Sequence, residues 1–159
     1  MSRDSELYSL LIPLSKDRLL VPRACVAEVI SYTEPPPREN GSWPDWYIGS
    51  IDWNGRSLPL VSLDEAREES SARRQARRRI VIFHGLTEHM RGRHYGILTQ
   101  GFPQLVRVNR DVLTADKEFK PPEGKPFLCR ARMIHEFPLI PDVDRLEAML
   151  ADVVRRRSA

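Results

Sequence analysis

The side chains able to do chemistry are scattered through this chain, and their spacings argue against most reactions. His84, His89 and His94 recur every five positions, a step that keeps to one face of neither a helix nor a strand. Around a turn they could converge on a metal ion. A polar surface turn accounts for them without one, because ligand pairs normally lie closer in sequence. His135 falls in an expected tight turn. Cys25 and Cys129 form no CxxC pair and are expected to be unpaired, buried, small apolar groups in a reducing compartment. Cys129 lies in an expected strand near Arg130 and Arg132, with no sign of the base that a thiolate nucleophile needs. Asp111, Asp116 and Glu118 flank a loop as solvated charges. Gly41, Gly49 and Gly55 make no phosphate loop, since no GK[ST] follows them, and there is no GxSxG elbow. No catalytic residue, cofactor or metal site is assigned, and the chain is not expected to be an enzyme.

Composition points the same way. The 159 residues suit one domain, or two very small halves sharing a core. There are 25 basic and 22 acidic residues, giving a net charge of +3, and five of the arginines cluster at Arg73–Arg79. A basic β-barrel binding RNA or DNA is therefore the alternative function. The near balance of charge weighs against it. So does the absence of aromatic platforms among the arginines, and no nucleic-acid partner is expected. The opening residues carry no basic stretch leading into an apolar one, and Leu7–Leu14 is broken by Pro13 and too short to span a bilayer. A cytoplasmic protein with no membrane insertion is expected.

The elements that would position these residues are mostly strands, because 13 prolines and 8 glycines punctuate the chain. Leu7–Leu14 and Arg18–Val21 read as a hairpin, Arg23 to about Glu28 as one or two helical turns, and Val29–Tyr32 as a strand. Residues 34–46 read as a loop. Tyr47–Trp53 and Arg56–Leu63 flank Asn54-Gly55, a strong hairpin signal, with Pro59 suggesting an edge or a bulge. Ser62-Leu63-Asp64-Glu65 has capping-box spacing and opens a connector over 64–78 that has no apolar face. Ile80–Phe83 pairs with Arg93–Thr99. Leu105–Val108, Phe127–Ile134 and Phe137–Ile140 are further strands. From Pro141-Asp142 a helix runs over 142–157, with Val143, Leu146, Met149, Leu150, Val153 and Val154 as its apolar stripe. The chain thus divides into β-rich halves of about 1–63 and 79–140 within a single domain of 1–159. Trp43, Trp46 and Trp53 crowd eleven positions. Core packing explains Trp53, while the other two suit a lid over the core or an exposed contact patch equally.

Four stretches taken together resemble the CheW-like family of chemotaxis coupling proteins. They are Arg18–Pro22 with Val26-Ala27-Glu28-Val29-Ile30, then Trp46–Leu63, then Tyr95–Phe102, and Phe137–Leu146. The resemblance runs from about Leu7 to Leu150, and only Trp46–Leu63 is specific alone. It implies a mostly β fold of two intertwined five-stranded SH3-like β-barrels with short helices and a C-terminal α-helix. It implies a non-catalytic adaptor, recruited to membrane receptor arrays, that joins the cytoplasmic tip of a methyl-accepting chemoreceptor to the regulatory domain of a CheA-type histidine kinase. The receptor- and kinase-binding residues would be Val26, Glu28, Asn54, Gly55, Arg56, Tyr95 and Phe102, around a groove between the halves. Val26 and Phe102 taken singly read equally well as core. The chain departs from the family pattern at Asn54, where an Arg is usual and typically faces the glutamate equivalent to Glu28. Arg56 could restore that pair, since residues two apart share a strand face. The Trp-rich stretch is similar to members that control type IV pili and twitching motility.

Overall fold

A computed structural model describes residues 6–64 and 76–157. Most of the connector expected over 64–78 lies outside the described residues.

Strands β1 (Leu7–Pro13) and β2 (Arg18–Pro22) form the first hairpin, where two apolar runs meet across a short polar turn. A single 3-10 turn, Arg23–Cys25, follows, and β3 (Val26–Ser31) starts at once. The expected helical turns are thus shorter and the strand longer. The physical reason is a bulge between Val26 and Glu28. It inserts one residue, so Val26 and Val29 both face one core although they are three apart. In sequence that spacing imitates a helix.

β4 (Tyr47–Trp53) and β5 (Arg56–Val61) are joined by Asn54 and Gly55 at φ 48° and 77°. Two consecutive positive φ values make the two-residue turn whose twist matches its strands. β5 is an interior strand, flanked by β4 and β7, which corrects the edge position inferred from Pro59. Its parallel ladder to β7 begins one residue later, at Leu60, so the missing proline N–H costs no rung there.

β6 (Arg79–His84) and β7 (His94–Thr99) are antiparallel. Then come β8 (Gln104–Val108), β9 (Thr114–Ala115), β10 (Phe127–Arg132) and β11 (Leu139–Pro141). Helix α1 (Val143–Arg157) closes the described chain. Asp142 caps it, its Oδ1 accepting the Arg145 N–H at 3.1 Å.

The strands form a six-stranded sheet, β8-β1-β2-β11-β10-β9, and a five-stranded sheet, β3-β6-β7-β5-β4. Each takes strands from both sequence halves, so the halves interleave. Between the sheets lies the largest core, with Ile12, Leu19 and Val21 from one, Val81, Phe83 and Ile97 from the other, and Leu146 and Leu150 from α1. A second cluster (Ile51, Leu58, Leu60, Ile80, Ile82, Leu98) fills the five-stranded sheet, and a third (Leu11, Leu20, Val108) lines the six-stranded one. Full burial of each large apolar side chain stabilises the fold by about 1.5–3 kcal/mol.

The loop 34–46 is a strap tied to β4 and α1. Glu39 accepts from Tyr47 Oη at 2.9 Å and from Arg157 Nε at 3.0 Å. Trp43 donates to the Glu39 carbonyl at 2.8 Å, lies 5.0 Å from the Tyr47 ring, and is covered by the Arg156 guanidinium. Arg156 also donates to the Ser42 carbonyl. Trp46 packs against the main core, so both loop tryptophans serve as a lid. Gly49, at φ 152°, lets the strap approach: a Cβ there would sit 3.3 Å from Pro35 Cβ and from the Pro36 carbonyl oxygen.

Candidate docking site

Each strand of the five-stranded sheet contributes one side chain to the end of the sheet that carries the Asn54–Gly55 turn. They are Glu28 from β3, Trp53 from β4, Arg56 from β5, His84 from β6 and His94 from β7. The register explains this. Trp53 is directly opposite Arg56, and His84 directly opposite His94, and direct cross-strand partners share a face. The Val26–Glu28 bulge then turns Glu28 to oppose Ile82, on the side of the second cluster.

β3 and β4 are the two edges of this sheet, and one hydrogen bond joins them. Trp53 Nε1 donates to Glu28 Oε2 at 2.6 Å. The sheet therefore curls far enough for one side-chain bond to bridge its two edges, and the indole spans the mouth between them. Trp53 also packs on His94, with ring centroids 4.8 Å apart, and His94 Nε2 lies 3.1 Å from His84 Nδ1. Partial burial, then the neighbouring His84 and Arg56, hold His94 below its ordinary pKa, so its neutral form is favoured. Glu28, Arg56 and His84 remain exposed. The mouth thus presents a carboxylate and a guanidinium on a fixed frame, with an apolar floor beneath.

The partner expected for Glu28 is corrected here. Its hydrogen bond comes from Trp53 and not from Arg56. The Trp53 side chain reaches across from the opposite edge strand β4, whereas Arg56 stands on β5, one strand further in.

Of the seven binding residues inferred from sequence, Glu28, Asn54, Gly55 and Arg56 come together at this mouth. The other three do not. Val26 packs against the main core, beside Phe83. Tyr95 is fully buried and its Oη donates to Glu147 Oε2 at 3.0 Å, so it offers no surface to a partner. Its hydroxyl is a polar tip that the interior satisfies, which sequence alone does not separate from an exposed tyrosine. Phe102 is 68% exposed, but it lies beyond Thr99, at the other end of β7 from Tyr95. The strand alone separates those ends by roughly 13 Å. Its exposed apolar neighbours in sequence and sheet are Leu105, on β8, and Tyr8, on the adjoining β1.

Sequence reasoning also missed residues. Trp53, which core packing explains in sequence, also bonds Glu28. Of the three histidines that could converge around a turn, the β6–β7 hairpin brings only His84 and His94 face to face. Glu147 was overlooked altogether. It is fully buried on α1, and its carboxylate accepts from the N–H groups of Leu86 and Thr87 and from the hydroxyls of Thr87 and Tyr95, at 2.7–3.0 Å. A signal was present: Glu147 lies between Val143 and Leu150 on the apolar stripe. Burial, then the Glu147 charge, push the Tyr95 phenol well above its ordinary pKa. The same two influences raise the Cys25 thiol. Both cysteines are free and half-buried.

His89 lies apart from the other two histidines, 3.8 Å from Asp144. Several arginines that could have formed a basic patch face protein groups: Arg78 lies over Tyr32, Arg130 over Phe119 and against Asp17, and Arg157 against Glu39 and Ser57. Among the described residues no helix is long and apolar enough to cross a membrane.

The family model for the CheW-like domain matches residues 9–148. Among solved structures, the chain is similar to the scaffolding protein TtCheW from Thermoanaerobacter tengcongensis, with a TM-score of 0.67 over 87% of this chain and 86% of that one. Identity between the two is 12%, so that likeness speaks for the fold. No curated protein matches the sequence. The interleaved sheets are accordingly the two SH3-like β-barrels of this fold, one enlarged to six strands by the two-residue β9. With the family model matched over most of its length, the chain belongs to the CheW-like domain family.

Proposed function

We propose that this protein is a non-catalytic coupling adaptor that joins the cytoplasmic tip of a methyl-accepting chemoreceptor to the regulatory domain of a CheA-type histidine kinase. It would reside in the cytoplasm and be recruited to receptor arrays through these partners. The observation that carries the reading is the family match over residues 9–148. The geometry supports it in a second way. An adaptor needs two surfaces that do not overlap, and the mouth and the exposed Phe102 edge lie at opposite ends of β7. The mouth, with Glu28 and Arg56, suits a charged and oriented contact. The Phe102 edge, with Tyr8 and Leu105, suits an apolar one. Control of type IV pili is a refinement that rests on the Trp-rich stretch alone, and Trp43, Trp46 and Trp53 are all occupied in packing or hydrogen bonding within the chain.

The test is binding of the purified chain to a receptor-tip fragment and a kinase regulatory domain from its own genome. Micromolar binding to both is expected. Arg56→Glu should weaken one partner about tenfold or more and leave the other unchanged. Binding to neither partner, or salt-sensitive binding to random oligonucleotides instead, would overturn the adaptor reading.

A further inference from the structure

The histidine pair at the mouth has a geometry that suits a shared hydrogen bond and equally a shared ion. His84 and His94 are direct cross-strand partners at the end of the β6–β7 hairpin where the connecting segment joins the strands. Their rings lie 5.1 Å apart at 55°, and His84 Nδ1 is 3.1 Å from His94 Nε2. Two imidazole nitrogens bound to one ion at 2.0–2.1 Å stand about 2.9 Å apart at a right angle and about 3.4 Å apart at the tetrahedral angle. The observed separation falls between these limits. Strands fix both backbones, so little rearrangement is needed to place an ion between the two nitrogens.

We propose that His84 and His94 form a two-imidazole site for a divalent transition-metal ion of the zinc, nickel and copper class. Both nitrogens turn their lone pairs to the ion, and the ring that donated the shared proton carries it instead on its other nitrogen, by exchange with water, so both imidazoles stay neutral. Neutral imidazole is the ligating form. His84 is exposed, so water completes the coordination. Among the described residues no set of three His, Cys, Asp or Glu side chains converges. The site is therefore open and of modest affinity, unlike a closed structural zinc site. Arg56, which faces His94 from β5, opposes the cation. His94 Nδ1 is buried without a partner, so the site lacks the outer hydrogen bond that usually firms a histidine ligand. This inference is independent of whether the mouth docks a protein.

The test titrates the full chain with nickel and zinc chlorides, by calorimetry and by tryptophan fluorescence. Saturable 1:1 binding in the micromolar range is expected, with nickel quenching emission because Trp53 is 4.8 Å from His94. His84→Ala and His94→Ala should each weaken binding about tenfold or more, and His84→Asn, a milder change at an exposed position, should do the same. His89→Ala and the double variant Cys25→Ser/Cys129→Ser should bind as the parent does. Trp53→Phe should lose most of the quench but keep the calorimetric signal. The proposal is overturned if no saturable binding appears up to about 1 mM metal. It is equally overturned if binding survives in His84→Asn, or falls as far in His89→Ala as in His84→Ala.

Discussion

Two glutamates divide the labour of this molecule. Glu147, on α1, is fully buried and accepts from four donors, three of which belong to residues 86 and 87 of the segment linking β6 to β7. Glu28, at the mouth, is exposed and takes a single described hydrogen bond, from Trp53. A carboxylate taken out of water must have its lone pairs filled from within, and one so filled has nothing left to offer a partner. A carboxylate held by one indole keeps most of its acceptor capacity free. The difference separates a residue that holds the fold from one placed to be recognised.

The sharpest way to break this comparison is at Glu147. Glu147→Ala leaves the partly buried Leu86 and Thr87 amides and the fully buried Tyr95 hydroxyl without their acceptor. Buried donors left unsatisfied cost about 1–3 kcal/mol each. The variant should lose about 3–5 kcal/mol, allowing for partial relaxation. Urea unfolding would show a large fall in midpoint. A midpoint within error of the parent would mean that this seam is not structural, and the contrast with Glu28 would collapse.

How far such a contrast was legible in sequence depends on the element. The β4–β5 hairpin was readable from Asn54-Gly55 and its flanking alternation, and α1 from its stripe and the Asp142 cap. β3 was misread because a bulge spaces Val26 and Val29 as a helix would. β9 was not readable at all: Thr114 and Ala115 pair with Arg132 and Ala131, a contact made by the tertiary fold rather than by local preference. At the site, Glu28, Asn54, Gly55 and Arg56 were brought together by the hairpin and sheet that the sequence announced. The bond from Trp53 to Glu28 depends on the curl of the whole sheet, which no local pattern encodes, whereas the histidines meet through the register of β6 on β7. Val26 and Phe102, each of which reads equally well as core or groove in sequence, are separated by burial: Val26 packs against the main core and Phe102 is exposed.

A middle case sharpens the scale. Glu39 is exposed, yet it holds the strap to Tyr47 and Arg157. Its partial burial would raise its pKa. Hydrogen bonds from its own backbone, Tyr47 and Arg157, with the Arg157 charge, outweigh that and hold it below the ordinary 4.5. A carboxylate with a lowered folded pKa contributes stability that is present above its unfolded value and is lost as pH falls through the folded one. The parent should therefore exceed Glu39→Gln in melting temperature near neutrality, and the gap should close as pH drops below about 4.5. Melting curves across that range check it. A gap independent of pH would show that the strap is held by Trp43 and Arg156 packing rather than by the Glu39 charge.

The smallest stability effect is expected at Glu28, together with the largest effect on binding. Removing one exposed hydrogen-bonded partner costs about 0–1 kcal/mol. Trp53 keeps its packing on His94 and the second cluster when Glu28 is gone, and its indole N–H can turn to water. Glu28→Ala should thus melt within a few degrees of the parent while losing affinity for whichever partner docks at the mouth. Trp53→Phe tests the same bond from the other side. It frees both Glu28 oxygens but removes the indole that fixes their direction, so it should weaken docking less than Glu28→Ala does. The double variant should then be no worse than Glu28→Ala alone, because the indole acts on the partner through the carboxylate. Additive losses in the double variant would instead place Trp53 itself against the partner. A large fall in melting temperature for Glu28→Ala would make Glu28 a second Glu147, a structural acceptor, and the mouth would cease to be a docking surface.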